Sequence, residues 1–94
     1  MAKIFVVQYE NQADATVYKV DYENQADLCW HEVKYDNQAN GDALWYFVDY
    51  ENQADFKIFW VNYENQAAIK VFKVEYENQA GWKTSNKFRG RIGK

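Results

Sequence analysis

Cys29 and His31, two residues apart with Glu32 beside them, are the one place where this sequence sets a thiol next to an imidazole. Such a pair can make a cysteine nucleophile or begin a zinc site. Neither is completed, because the chain has no other Cys and no other His. It also lacks a glycine-rich phosphate loop and a nucleophile elbow. The other chemistry on offer is hard-cation binding through oxygen. Six carboxylates, Glu10, Glu23, Asp36, Glu51, Glu64 and Glu77, each precede an Asn-Gln pair: Asn11–Gln12, Asn24–Gln25, Asn37–Gln38, Asn52–Gln53, Asn65–Gln66 and Asn78–Gln79. Their spacing is not that of a calcium loop. The carboxamides are expected to satisfy turn backbone groups, which Asn does readily. A ligand- or ion-binding rim is the alternative. The expectation is a chain with no catalytic residue, no metal, no cofactor and no enzymatic activity.

The carboxylates belong to a repeat that governs the whole sequence. Tyr-Glu/Asp-Asn-Gln-Ala begins at Tyr9, Tyr22, Tyr35, Tyr50, Tyr63 and Tyr76, at intervals of 13, 13, 15, 13 and 13 residues. Two residues before each Tyr stands Val (Val7, Val20, Val33, Val48, Val61, Val74), and four before it an aromatic residue or His31. This alternation, rich in β-branched and aromatic residues, predicts a strand of about eight residues, roughly 26 Å long. Apolar residues also recur five and seven before the Tyr, on the opposite phase: Ile4, Val17, Trp30, Trp45, Ile58, Val71 and Ala2, Ala15, Leu28, Ala43, Phe56, Ile69. Either both faces are covered along different halves of the strand, or a bend between the fifth and fourth positions restores one inward face. The bend is the expectation taken forward. Residues 1–94 thus form one all-β domain of about seven strands around one core.

The tandem pattern, as in Lys3-Ile-Phe-Val-Val-Gln-Tyr-Glu-Asn-Gln-Ala-Asp14, closely resembles the 7(1) septoil knot domain family, small bacterial proteins whose repeated strands wind into a seven-crossing torus knot. The resemblance covers roughly residues 3 to 88. Asp36, Ala68 and the two extra residues around Asn40-Gly41-Asp42 depart from the pattern. It implies an architecture and carries over no catalytic residue. A winding of two-sevenths of a turn per unit implies the angular order one, five, two, six, three, seven, four. Units four, one and five, then neighbours, carry Phe47, Val6 and Trp60 three before the Tyr. With Leu44 these make an expected apolar interaction patch. The insertion would lie where the seventh segment threads.

Charge and composition bound the partners. All 14 acidic groups and six basic ones fall in residues 1–80, a balance of minus eight, while residues 81–94 hold five basic groups and no acid. Residues 89–94 are expected to be a basic, flexible tail docking on the acidic body, which argues against nucleic acid. No run is long and apolar enough for a membrane span. The lone Cys29 suggests a reducing, cytoplasmic setting. A monomer with a structural or protein-interaction role is expected, or a dimer through the apolar patch; no protein partner can be named. The complete absence of Pro fits strands that must all donate their N–H groups.

Overall fold

Each repeat forms the same local structure. In the computed structural model, which describes residues 2–93, the motif Tyr is extended, with φ between −122° and −131°. The Glu/Asp-Asn-Gln that follows is a single 3₁₀ turn. It is closed by Gln N–H to Tyr C=O at 3.0–3.1 Å and Ala N–H to Glu or Asp C=O at 3.1 Å. Upstream lie the strands: β1 (Ala2–Val6), β2 (Ala15–Lys19), β3 (Leu28–Glu32), β4 (Leu44–Phe47), β5 (Phe56–Trp60), β6 (Ile69–Lys73) and β7 (Gly81–Trp82). They are shorter than the eight residues expected, ending three before the Tyr.

Six of them close a parallel ring in the order β1-β5-β2-β6-β3-β4. The same register step recurs at every seam. Ile4 faces Phe56, Ile58 faces Ala15, Val17 faces Ile69, Val71 faces Leu28, His31 faces Leu44 and Trp45 faces Ala2. Each step is a two-residue stagger, which at ordinary strand spacing tilts the strands about 55° from the barrel axis. A five-residue strand then climbs only about 10 Å along the axis and travels about 13 Å sideways, roughly one and a half strand positions. Parallel strands ordinarily need a crossover of a dozen or more residues. Here eight residues, such as Val7–Asp14 between β1 and β2, complete the return and move the chain two positions on.

The opposite phases of the apolar residues follow from regular alternation with two covered faces. The residues seven and five before the Tyr point inward and form the main core, including Ile4, Val17, Leu28, Trp30, Trp45, Ile58, Ile69 and Val71. The outer face carries a second cluster: Cys29 six before the Tyr, Tyr18 and Phe72 four before it, and Val20 and Val74 two before it, with Ala26 and Ala80 of the turns. No bend separates the fifth and fourth positions, contrary to the expectation. The ladder even continues past the strand ends, with Val7 N–H on Ile58 C=O, Val20 on Val71 and Val61 on Val17, at 2.9–3.0 Å. Ala26 and Ala80, which follow the returning turns, pack into this outer cluster beside β2, β3 and β6, so a second face is buried without a change of register.

The ring leaves open an edge on the first half of a strand, and on β1, β5 and β6 an aspartate closes it. Asp14 donates its N–H to Lys57 C=O at 2.8 Å and accepts the Lys57 N–H on Oδ2 at 2.9 Å. Asp27 does the same with Lys70, and Asp55 with Lys3. Ala68, the departure from Asp, meets Thr16 where the others meet Lys. Ala68 N–H reaches Thr16 C=O at 2.9 Å, and the Thr16 hydroxyl donates to Gln66 C=O at 2.9 Å. Such pairing removes a template for edge-to-edge association.

The seventh segment differs from the sevenfold order. It does not separate β3 from β4, which pair directly through His31–Leu44 and Glu32–Trp45. β7 runs antiparallel along the first half of β3, through Leu28–Trp82 and Cys29–Gly81. This is the edge that the longer link after unit three leaves uncovered.

If the outer face is core, Val20→Ala and Val61→Ala should each destabilise by about 1–2 kcal/mol, near the cost of other buried aliphatic truncations. Tyr22→Ala, on the exposed turn, should stay below about 0.5 kcal/mol. Urea unfolding of the three variants measures both.

Candidate functional site

Regular alternation places Cys29 and His31 on the same outer face of β3, but each is occupied there. Cys29 is fully buried against Val20, Ala26 and Val74. Burial, with a smaller push from Glu23 and an opposing one from Lys83, raises its thiol pKa, which disfavours the reactive thiolate. His31 Nδ1 lies 3.1 Å from Val74 C=O. Among the described residues no three Cys, His, Asp or Glu side chains converge as a metal site.

The turns behave differently from expectation. Their backbone is closed by backbone, and among the described residues the carboxamide of Gln38 alone adds to it. Among the described residues, the Tyr, Glu/Asp, Asn and Gln side chains of all six turns make two polar contacts with protein. Gln38 Oε1 accepts Tyr35 N–H at 3.2 Å, and Glu23 pairs with Lys83 at 2.9 Å. The six motif tyrosines are 64–67% exposed. Sequence reasoning placed them on a half-buried strand face; the sharp turn after each Tyr carries the ring outward.

The ring order brings β4, β1 and β5 together, and with them Phe47, Val6 and Trp60. Only Val6 is exposed; Phe47 and Trp60 are half-buried and pack on the main core. Trp30 stacks on Trp45 with centroids 4.5 Å apart, and Phe47 meets both edge-on at 5.6 and 6.1 Å. These aromatics fill the mouth of the barrel at the strands' C-terminal ends. The matching positions on β3 and β6 are Glu32 and Lys73, paired at 3.1 Å, with the Lys73 ammonium 5.6 Å from the Trp30 ring. Leu44, half-buried, sits at the opposite end of β4 and does not join them. A cleft of about 500 Å³ runs beside this mouth, bordered by His31, Glu32, Tyr46, Phe47, Lys73 and Glu75.

Asp42, which sequence reasoning passed over, is the most engaged side chain outside the core. Its carboxylate accepts the Trp82 indole N–H at 2.9 Å and the backbone N–H groups of Ile92 at 3.1 Å, Gly93 at 2.9 Å and Gly90. Gly41 has a left-handed φ of 74°, and Gly93 lies so close that a Cβ on it would run into the Gly41 carbonyl. Residues 89–93 are therefore no free tail. Ile92 is fully buried in the main core, Phe88 packs edge-on against Phe56 at 5.8 Å, and Asn86 donates to Ala68 C=O at 3.2 Å. The segment closes the other mouth of the barrel; its anchors are backbone amides and an isoleucine, and the basic side chains point outward. The signal available in sequence was Asp42 itself, the one acidic residue in the only insertion.

A closed parallel barrel of short tandem repeats, wound two positions per unit and locked by its last segment, defines a class of knotted repeat domain. The chain matches the family model of the 7(1) septoil knot domain over residues 1–83 and belongs to that family. Among curated proteins and among solved structures, no match was found.

Burial pushes the Asp42 carboxyl pKa up, but the bonds from Gly93, Trp82, Gly90 and Ile92 outweigh it and hold the pKa below its ordinary value. A depressed folded-state value contributes stability that is complete above the unfolded pKa of about 4 and is lost as pH falls through the folded one. Asp42→Ala should cost about 2–4 kcal/mol at neutral pH. The difference from wild type should narrow below about pH 4. Denaturant unfolding from pH 2 to 7 reads both. Cys29 should react with a thiol reagent only at the rate of opening; fast labelling of the native protein would contradict its burial.

Proposed function

We propose that the protein is a non-catalytic structural and protein-interaction module of the cytoplasm. Its chemistry-bearing residues hold the fold. Cys29 packs the outer face, His31 meets the Val74 carbonyl and Asp42 carries four hydrogen bonds to the C-terminal segment. That last anchor is the observation that carries the proposal, since it converts the most polar cluster into a lock. Winding the chain through itself makes pairing non-local and both folding and unfolding slow, which suits a scaffold that must resist unfolding. The native chain should be a monomer with an unfolding half-life of hours or longer at 25 °C. Light scattering and stopped-flow or manual-mixing unfolding test this, and complete unfolding within seconds would remove the support.

Phe47 and Trp60 serve the core more than an interface on this reading. Phe47→Ser should destabilise by about 3 kcal/mol or more, whereas Val6→Ser should cost less than about 1 kcal/mol. Equal, small costs in thermal melts would restore the whole patch as a free surface.

A second reading is favoured by one specific observation: the turn side chains are almost entirely unused by the fold. A rim built from them can engage a ligand or ion, with Glu, Asn and Gln supplying donors and acceptors.

A further inference from the structure

We propose that the six Tyr-Glu/Asp-Asn-Gln turns are equivalent carbohydrate-binding sites, arrayed to hold a polysaccharide at several points. The proposal rests on the rim reading above and names its ligand class. Its first support is the constancy of an exposed segment between repeats. Surface positions away from caps and special backbone are where substitution costs least, and buried positions are where packing is felt. Within this chain the buried or half-buried Val two before the Tyr is invariant and the exposed residue just before the Tyr varies, as expected. The inward strand positions drift, however, while the exposed turn does not. The inward position five before the Tyr is Ile, Val, Trp, Trp, Ile and Val, and the one seven before it is Ala, Ala, Leu, Ala, Phe and Ile. The exposed turn is Tyr-Glu-Asn-Gln five times and Tyr-Asp-Asn-Gln once. Backbone bonds close every turn, and only at the third does a turn side chain, Gln38, add to them, so the fold does not account for that constancy.

The second support is the chemistry presented. Among the described residues, Val6 apart, the large exposed apolar side chains are the six motif tyrosines, each in the same extended conformation directly before its turn. Tyr offers a rigid, amphipathic ring at low entropic cost. Beside it stand a carboxylate and two carboxamides, which together supply paired acceptors and donors. A sugar has the complementary surface: a face of C–H bonds for the ring and a rim of hydroxyls that both donate and accept. The six carboxylates repel phosphate polymers and anionic lipid. Six copies of one small site also suit a polymer of repeating units better than a protein surface. Weak single contacts then add through effective concentration.

The test is a glycan array probed with the wild-type protein and with a variant carrying Tyr9→Ser, Tyr22→Ser and Tyr63→Ser. The wild type should bind one class of polysaccharide. The variant should fold with an unchanged melting temperature and bind at least ~10-fold more weakly, beyond the halving that loss of three independent sites would give. No glycan bound by the wild type, or equal binding by the folded variant, would overturn the proposal. Calcium alone, titrated while the Asn and Gln side-chain amides are followed by NMR, separates the rim from its ligand class. Amide shifts with a silent array would overturn carbohydrate and keep a rim that engages ligand. Silence in both would remove both readings.

Discussion

The two-residue stagger at each of the six seams is the constraint on which the structure depends. It fixes the tilt, and the tilt decides how far a strand carries the chain around the barrel. With a small tilt, an eight-residue link could not bring the chain back to start another parallel strand. With this one, strand and link together advance two positions, so successive units skip a neighbour and the chain goes about one and a half times round the ring between β1 and β6. The link from β3 to β4 is the exception. It advances one position, is longer, and holds the residues that receive the chain's end.

Two solutions to backbone satisfaction follow. Where ring neighbours are staggered past each other, an aspartate side chain takes the orphaned N–H, as Asp14, Asp27 and Asp55 do. Where the insertion breaks the pattern, Asp42 turns the same chemistry on the C-terminal segment and meets four donors in place of one. Both mouths of the barrel are then plugged, one by Trp45, Trp30 and Phe47, the other by Phe88 and Ile92.

Much of this was legible from residue spacing. The repeat, the strands, the adjacency of units four, one and five, and the meeting of the insertion with the C-terminal segment all follow from the period and the family's winding. Four features did not. The two apolar phases fit either a bend or two covered faces, and only the path of the returning chain, which buries Val20 and Val74 on the outside, distinguishes them. The carboxamides of Asn11, Gln12 and their equivalents suit backbone satisfaction chemically. The 3₁₀ turn closes itself, though, and leaves them in solvent. The tyrosines share the strand's alternation in sequence, yet the extended-to-3₁₀ corner turns them out. Ile92 was hidden in a basic stretch, where a single isoleucine carries little periodic signal but fills a barrel mouth.

Strand adjacency tests the winding most directly. In solution, NMR should give backbone NOEs across the seams Ile4–Phe56, Ala15–Ile58 and Leu28–Val71, and none between β1 and β2 or between β5 and β6. NOEs joining those consecutive strands, as in a meander or a simple solenoid, would contradict the two-position advance and with it the closure of the barrel by Asp42.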